Sequence, residues 1–333
     1  MQDKLFKDRL IVLTGGLGFV GSAILRYLND LGYENIVVVD DFKQGEKWKN
    51  LVGKRYRDLV SRYELFDYLE SRIQDVEAII HMGANTSTSD LNHDDYYRTN
   101  YRYSVRLCEL ALNHGCIFAA ASSAASYGRG REGFDDDVSK LDHLRPLNMY
   151  GYSKHMFDLW ALREDLYGRI LTFKFFNVYG PNEYHKGSMA SMVLHMYNQI
   201  NQISKVKLFR STDPKIADGE QSRDFIYVKD VARMVVDSIV LQMTGLYNIG
   251  TGVSITWKTL ADAVFRAMGK EAVIEYIDLP LPLQSQYQNY TQANMDKWHR
   301  AWEKLGKKPM QCVSLEEGVF DYVQNYLRVG SRL

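Results

Sequence analysis

Residues 9–21 read RLIVLTGGLGFVG, and the rest of the chain can be organised around them. Ile11-Val12-Leu13-Thr14 is an apolar, β-branched run; glycines stand next at 15, 16, 18 and 21, and a helical pattern covers Ser22 to Leu31. In this strand, turn and helix each glycine has a task. The backbone turns sharply at Gly15, approaches a diphosphate at Gly18, and lets helix and strand pack closely at Gly21. The helix start then offers unpaired N–H groups and a positive dipole end to the anion. The spacing is Gly-x-x-Gly-x-x-Gly, not the Gly-x-Gly-x-x-Gly of ordinary dehydrogenases, and alone it also fits a plain strand-to-helix loop. The next strand favours the dinucleotide. Asn35-Ile36-Val37-Val38-Val39-Asp40 reads as a buried strand ending in a carboxylate, which can accept hydrogen bonds from the adenosine ribose.

A chain of 333 residues is more than one core usually fills, so a second lobe is expected beside the dinucleotide domain. Apolar residues make up 46% and charged residues 25%, the balance of a soluble globular protein. With a formal net charge of zero there is no global field for nucleic acid or an anionic membrane, so local groups must hold any phosphate. No stretch has the length of a membrane span, and the charged start MQDKLFKDR is not read as a signal peptide. Cys108, Cys116 and Cys312 are widely spaced, without metal-like pairing; they point to a reducing, cytoplasmic compartment and to no metal site.

In the loop after Asp40, Lys43 and Lys47 admit two readings, a grip on a 2′-phosphate or ordinary solvated lysines. Residues 54–75 are mixed and support only weak assignments. Val76 to Ala84 reads as a strand ending in small residues, 94–113 as a helix carrying Asn100, and Cys116 to Ala121 as a strand leading into Ser122-Ser123-Ala124-Ala125-Ser126-Tyr127-Gly128. Alternating strands and helices mean an α/β fold, a doubly wound parallel sheet of Rossmann type, with ligands beyond the carboxyl ends of the strands. Tyr150 and Lys154 then stand four apart on one helix face, where the ammonium favours the phenolate. Residues 170–181 are read as one further strand. Helical patterns at 189–202, 229–241, 257–268 and 315–327 belong to the second lobe. The division expected is 1–178 for the dinucleotide domain, with returning segments near 220–252, and 179–333 mainly for a smaller mixed α/β substrate lobe.

TGGLGFVG at 14–21, SSAASYG at 122–128, Tyr150-x-x-x-Lys154 and FNVYGP at 176–181 together resemble the extended short-chain dehydrogenase/reductase superfamily over nearly the whole chain. A narrower resemblance lies in EYHKGSMAS at 183–191, SRDFIYV at 222–228 and YQNYTQA at 287–293, which are similar to the ADP-L-glycero-D-manno-heptose 6-epimerase family. That resemblance implies an NADP-dependent isomerase of lipopolysaccharide heptose synthesis. The ADP-heptose substrate is oxidised at C6″ to a transient ketone and reduced on the other face, with a homo-oligomer, a pentamer, as the assembly. It implies Tyr150 and Lys186 as the two bases, Ser123 on the reacting oxygen, and Lys154 on the nicotinamide ribose. Beside Gly15, Gly18 and Gly21, it implies Phe19, Val20, Asp40, Asp41, Lys47, Met82, Gly83, Ala84, Asn100 and Val178 around the cofactor. For the ADP-sugar it implies Asn177, Ser188, His195, Phe209, Arg210, Ser211, Arg223 and Tyr287.

Asp40 argues for NAD, while Lys43 and Lys47 turn the reading to NADP. Lys186 also has a plain reading as a phosphate or loop lysine, and His195 as a surface histidine. Among rivals, a 4,6-dehydratase would need an acidic pair where Ala124-Ala125 stand after Ser123, and a UDP-hexose 4-epimerase needs no second base such as Lys186. A non-catalytic dinucleotide sensor would lack the Tyr150/Lys154 pair. Residues 213–221 look inserted relative to the family.

Overall fold

The computed structural model describes residues 5–42, 45–88, 90–284 and 287–333. In chain order its strands are β1 (Leu10–Thr14), β2 (Ile36–Asp40), β3 (Asp58–Ser61), β4 (Val76–His81), β5 (Ile117–Ser123), β6 (Leu171–Phe175), β7 (Asn177–Tyr179), β8 (Val206–Phe209), β9 (Ser222–Tyr227), β10 (Gly245–Ile249), β11 (Ser254–Thr256) and β12 (Ile274–Ile277). Seven form one parallel sheet in the order β10-β6-β5-β4-β1-β2-β3. The chain runs outward from β1 through β2 to β3, then crosses back to β4 on the other flank. A crevice therefore opens between the carboxyl ends of β1 and β4, where doubly wound sheets bind their ligands.

The strands are apolar on both faces because both faces are covered. Ile11, Leu13, Ile36 and Val38 face one layer with Ala23, Ile24 and Leu28 of the helix Phe19–Asp30 and with Val231, Val235 and Ile239 of the helix Val228–Val240. Leu10, Val12, Val37 and Val39 face the other, with Val105, Cys108, Ala111, Phe157 and Ala161. Each such fully buried branched aliphatic side chain contributes roughly 1.5–3 kcal/mol relative to exposure.

The run 170–181 is not one strand. Phe176 donates its N–H to the carbonyl of Ile249, the last residue of β10, at 3.0 Å, and β7 then leaves the main sheet to pair in parallel with β9. β11 joins β9 antiparallel, and β12 pairs with β8 in a separate two-stranded ribbon. The segment 94–113 is helical in three pieces: a short α turn His93–Tyr96, a π-helical stretch Tyr97–Arg102 that holds Asn100, and the helix Tyr103–Asn113. The helix expected at 189–202 begins at Met192, because the Ser191 side chain caps it by accepting from Leu194 N. The last helical pattern is α-helical over Leu315–Tyr322 and π-helical over Val323–Leu327. Within 54–75 lie β3 and the helix Leu65–Glu70. Among the described residues no helix is long and apolar enough to cross a membrane.

Candidate active site

The glycine turn is closed by contacts that admit no side chain. A Cβ on Gly21 would stand 2.1 Å from Gly15 O, and one on Gly15, whose φ is +70°, would stand 2.6 Å from Gly83 N at the end of β4. The Asp40 carboxylate is fixed above this turn: Oδ2 accepts from Leu17 N at 2.9 Å, and Oδ1 accepts from Asp41 N at 2.7 Å and from the Lys47 ammonium. Lys47 thus offsets the acid's charge. Lys43, the other cation weighed for this end, lies outside the described residues.

From the turn a cavity of about 1080 Å³ runs along the carboxyl ends of the strands. Gly15, Gly18, Phe19, Val20, Gly21, Asp40, Asp41, Lys47, Met82, Gly83, Ala84 and Val178 line it, as do Ser123, Tyr150, Lys154, Asn177 and Lys186. Asn100 does not. It is buried beneath the wall, where Oδ1 accepts from Asn85 N at 2.8 Å and Nδ2 donates to Asn85 O and to Ser153 Oγ at 2.9 Å. Ser153 Oγ in turn donates to Tyr150 O, so Asn100 ties the loop after β4 to the helix that carries Tyr150 and Lys154.

That helix, Met149–Arg163, starts at Asn148, whose side chain accepts from Gly151 N at 2.8 Å. The cap sets Tyr150 in the first turn and Lys154 one turn on. The Ser123 side chain favours the ionised form of the Tyr150 phenol, but burial dominates and pushes the phenol up. Lys154 does not pair with Tyr150 here. Its Nζ donates to Ala121 O at 2.8 Å, because the last carbonyls of β5 face this helix, and burial lowers it to about 8 against the opposing charge of Asp158. Lys186 is also pushed down, by burial, with Glu183 opposing. The cationic neighbour expected to help, Lys154, takes no part; Nζ of Lys186 lies 5.9 Å from the Phe19 ring centre.

Of the residues assigned to the ADP-sugar, only Asn177 lines the cavity; Ser188, His195, Phe209, Arg210, Ser211, Arg223 and Tyr287 lie outside its wall. Arg223 is buried between two rings, 5.5 Å from Trp257 and 5.4 Å from Tyr287, and donates to Ser222 O and Gln288 O. Phe209 stands edge-on to Tyr287. Arg210 turns to Asp218 at 2.9 Å, Ser211 donates its N–H to the same carboxylate at 2.8 Å, and His195 Nε2 lies 3.3 Å from Ser188 O. Asp218 belongs to the stretch 213–221, so the apparent insertion engages Arg210 and Ser211.

The cavity also takes in residues that sequence reasoning passed over. Arg62 stands just past β3 and lies 3.6 Å from Asp41; its place after a strand end was the available signal. Phe225 and Trp257 line the wall next to Arg223, and aromatic residues in such patterns read as core.

Residues 11–250 match the model of the NAD dependent epimerase/dehydratase family. The chain belongs to that family. It is 49% identical to the ADP-L-glycero-D-manno-heptose-6-epimerase of Nitratidesulfovibrio vulgaris (strain DP4), over 96% of this chain and 98% of that protein. It is 42% identical to the protein of the same name from Fusobacterium nucleatum, over 96% and 98%. Among solved structures, the Helicobacter pylori ADP-L-glycero-D-manno-heptose-6-epimerase superposes with a TM-score of 0.78 at 28% identity, covering 98% of this chain and 99% of that one. Membership in the epimerase/dehydratase family makes a nicotinamide dinucleotide the cofactor, and the residues fit it. The turn that a single Cβ would fill, the Asp40 carboxylate beside it and the Tyr150/Lys154 helix all open onto the same cavity.

Proposed function

We propose that this chain epimerises ADP-D-glycero-D-manno-heptose to ADP-L-glycero-D-manno-heptose at C6″, with Tyr150 and Lys186 as the two proton-transfer groups. The observation that carries the reading is that both side chains line the same cavity as the glycine turn and Ser123. The names of the relatives, at 42–49% identity over nearly full length, support the substrate.

When bound, the nicotinamide ring supplies a reversible hydride acceptor, which takes the C6″ alcohol to a ketone and back. The chain's own residues then manage one proton on each face of the sugar. On the face where the alcohol is oxidised, one group must be deprotonated to take the hydroxyl proton; on the other, the second must be protonated to give one to the returning oxygen. Each turnover leaves the two groups with exchanged protonation. Burial serves this at Lys186 by lowering it, which raises the fraction of free amine near neutral pH. At Tyr150 burial works the other way, and the Ser123 side chain favours the phenolate. Lys154 is buried against the carboxyl end of β5, positioned to hold the nicotinamide ribose.

The cofactor reading favoured is NADP. Lys47 neutralises Asp40, and Arg62 stands beside Asp41, so the adenosine end of the cavity carries cations that suit a 2′-phosphate. Replacing either base tests the mechanism. Tyr150→Phe and Lys186→Met should each slow epimerisation by at least ~100-fold, the lower range for loss of a general base. Near-normal turnover in one variant would remove that residue from the mechanism.

A further inference from the structure

Lys186 sits on a segment with little regular structure of its own: a 3-10 stretch, Tyr184–Met189, broken at Gly187, where φ is +53°. Its two ends are gathered by the buried Glu183 carboxylate, which accepts from Ser191 Oγ at 2.6 Å and from Gly180 N at 3.4 Å. A general base must be held within hydrogen-bond reach of the proton it takes, so something must also fix this segment against the cofactor's side of the cavity.

Asn50 does so. It is 0% exposed, and both ends of its amide are paired. Nδ2 donates to Leu17 O, within the glycine turn, and to Asn182 O, both at 3.0 Å, and Oδ1 accepts from Arg332 Nη1 at 2.8 Å. Arg332 comes from the far end of the chain and lies with its guanidinium 4.8 Å over the Tyr184 ring, two residues before Lys186. Its neighbours close on the same segment: Tyr184 OH donates to Ser331 O at 2.9 Å, and Leu333 N donates to Asn182 Oδ1 at 2.9 Å. Asn182, at φ +78°, also donates from Nδ2 to Ser22 Oγ in the helix beyond the glycine turn. Neither Asn50 nor Arg332 lines the cavity.

We propose that Asn50 and Arg332 are positioning residues for Lys186, forming a clamp that sets the second base against the dinucleotide turn. The proposal rests on the two-base reading above. It gives residue 332 a catalytic consequence through contacts, with no approach to substrate, and it ties the geometry of Lys186 to the turn that receives the cofactor diphosphate.

Steady-state epimerisation cannot separate the two bases, because the overall equilibrium constant links forward and reverse rates. A single turnover can. Holoenzyme is mixed in turn with ADP-D-glycero- and ADP-L-glycero-D-manno-heptose, and the rate of nicotinamide reduction is tracked by its absorbance. Lys186→Met first defines the epimer whose oxidation depends on Lys186. Arg332→Ala is then expected to slow oxidation of that same epimer by at least ~10-fold, a loss of positioning short of losing the base. The other epimer should stay within about twofold, which also shows the variant to be folded. Arg332→Lys, which keeps a donor for Asn50 Oδ1, should recover part of the rate. Equal slowing of both epimers by Arg332→Ala, or of neither, overturns the clamp while leaving the two bases in place. If Lys186→Met slows both epimers alike, the two-base reading itself fails and the clamp with it.

Discussion

Beneath the carboxyl end of β5 lies a buried ion pair whose removal should be felt in both stability and pH dependence. Asp158 and Lys174 are both 0% exposed and 2.5 Å apart. Asp158 Oδ2 also accepts from Ser122 Oγ at 2.7 Å; Lys174 Nζ donates to Ser126 Oγ at 2.6 Å, and Ser126 Oγ donates to Ser123 O. The pair thus holds the turn that presents Ser123. Asp158→Asn keeps the shape but leaves the ammonium without a countercharge, which costs about 3–5 kcal/mol in buried pairs. Unfolding entropy of about 2.1 cal/mol/K per residue gives roughly 0.7 kcal/mol/K for 333 residues, so the melting temperature should fall by about 4–7 °C. Asp158→Asn combined with Lys174→Met removes both charges and should regain most of the loss. The kinetic sign is set by Lys154, lowered to about 8 by burial while the Asp158 charge raises it. Without that carboxylate Lys154 moves lower still. Its ammonium is then lost at lower pH, and the alkaline fall in activity should shift to more acid pH. Calorimetry and a pH–rate profile read both effects. A variant melting within about 1 °C of the parent, or an alkaline limb that stays or moves upward, would show that the pair does not play this part.

Two further substitutions address the cofactor and substrate ends. Lys47→Met leaves Asp40 uncompensated and removes a candidate partner of the 2′-phosphate; a lost charge-assisted hydrogen bond of about 1.5–3 kcal/mol should weaken NADP binding roughly ten- to hundredfold while NAD binding holds or improves. Fluorescence titration with both dinucleotides checks this, and NADP affinity within twofold of the parent would contradict it. Arg223→Lys keeps the charge but loses the planar group held between Trp257 and Tyr287; KM for the sugar nucleotide should rise at least ~10-fold with kcat little changed, and a fall in kcat alone would speak against a binding role.

The dinucleotide half was legible because its physics is local. An apolar strand, a turn where only glycine fits and a helix packed close against it leave marks within a dozen residues, and Asp40 closes the next strand just above that turn. Tyr150 and Lys154 were legible through their four-residue spacing, but the partner of Lys154 was not, since Ala121 O meets it only through the packing of the helix on β5. The break at Phe176 escaped reading because most of 170–181 is apolar, and only the pairing of Asn177–Tyr179 with β9 instead of β10 shows where the first strand ends. Arg62 was hidden in a stretch without clear periodicity. Trp257 and Asn50 carry no local signal, because their meaning depends on partners far along the chain: Arg223 and Tyr287 for one, Leu17, Asn182 and Arg332 for the other.

The proposed reaction inverts one stereocentre, and proton NMR of ADP-D-glycero-D-manno-heptose with the purified holoenzyme and no added reductant tests it most directly. Conversion to the L-glycero epimer with no net change in cofactor absorbance is the expected result. An unchanged spectrum, obtained beside conversion of UDP-glucose to UDP-galactose by the same preparation, would contradict it.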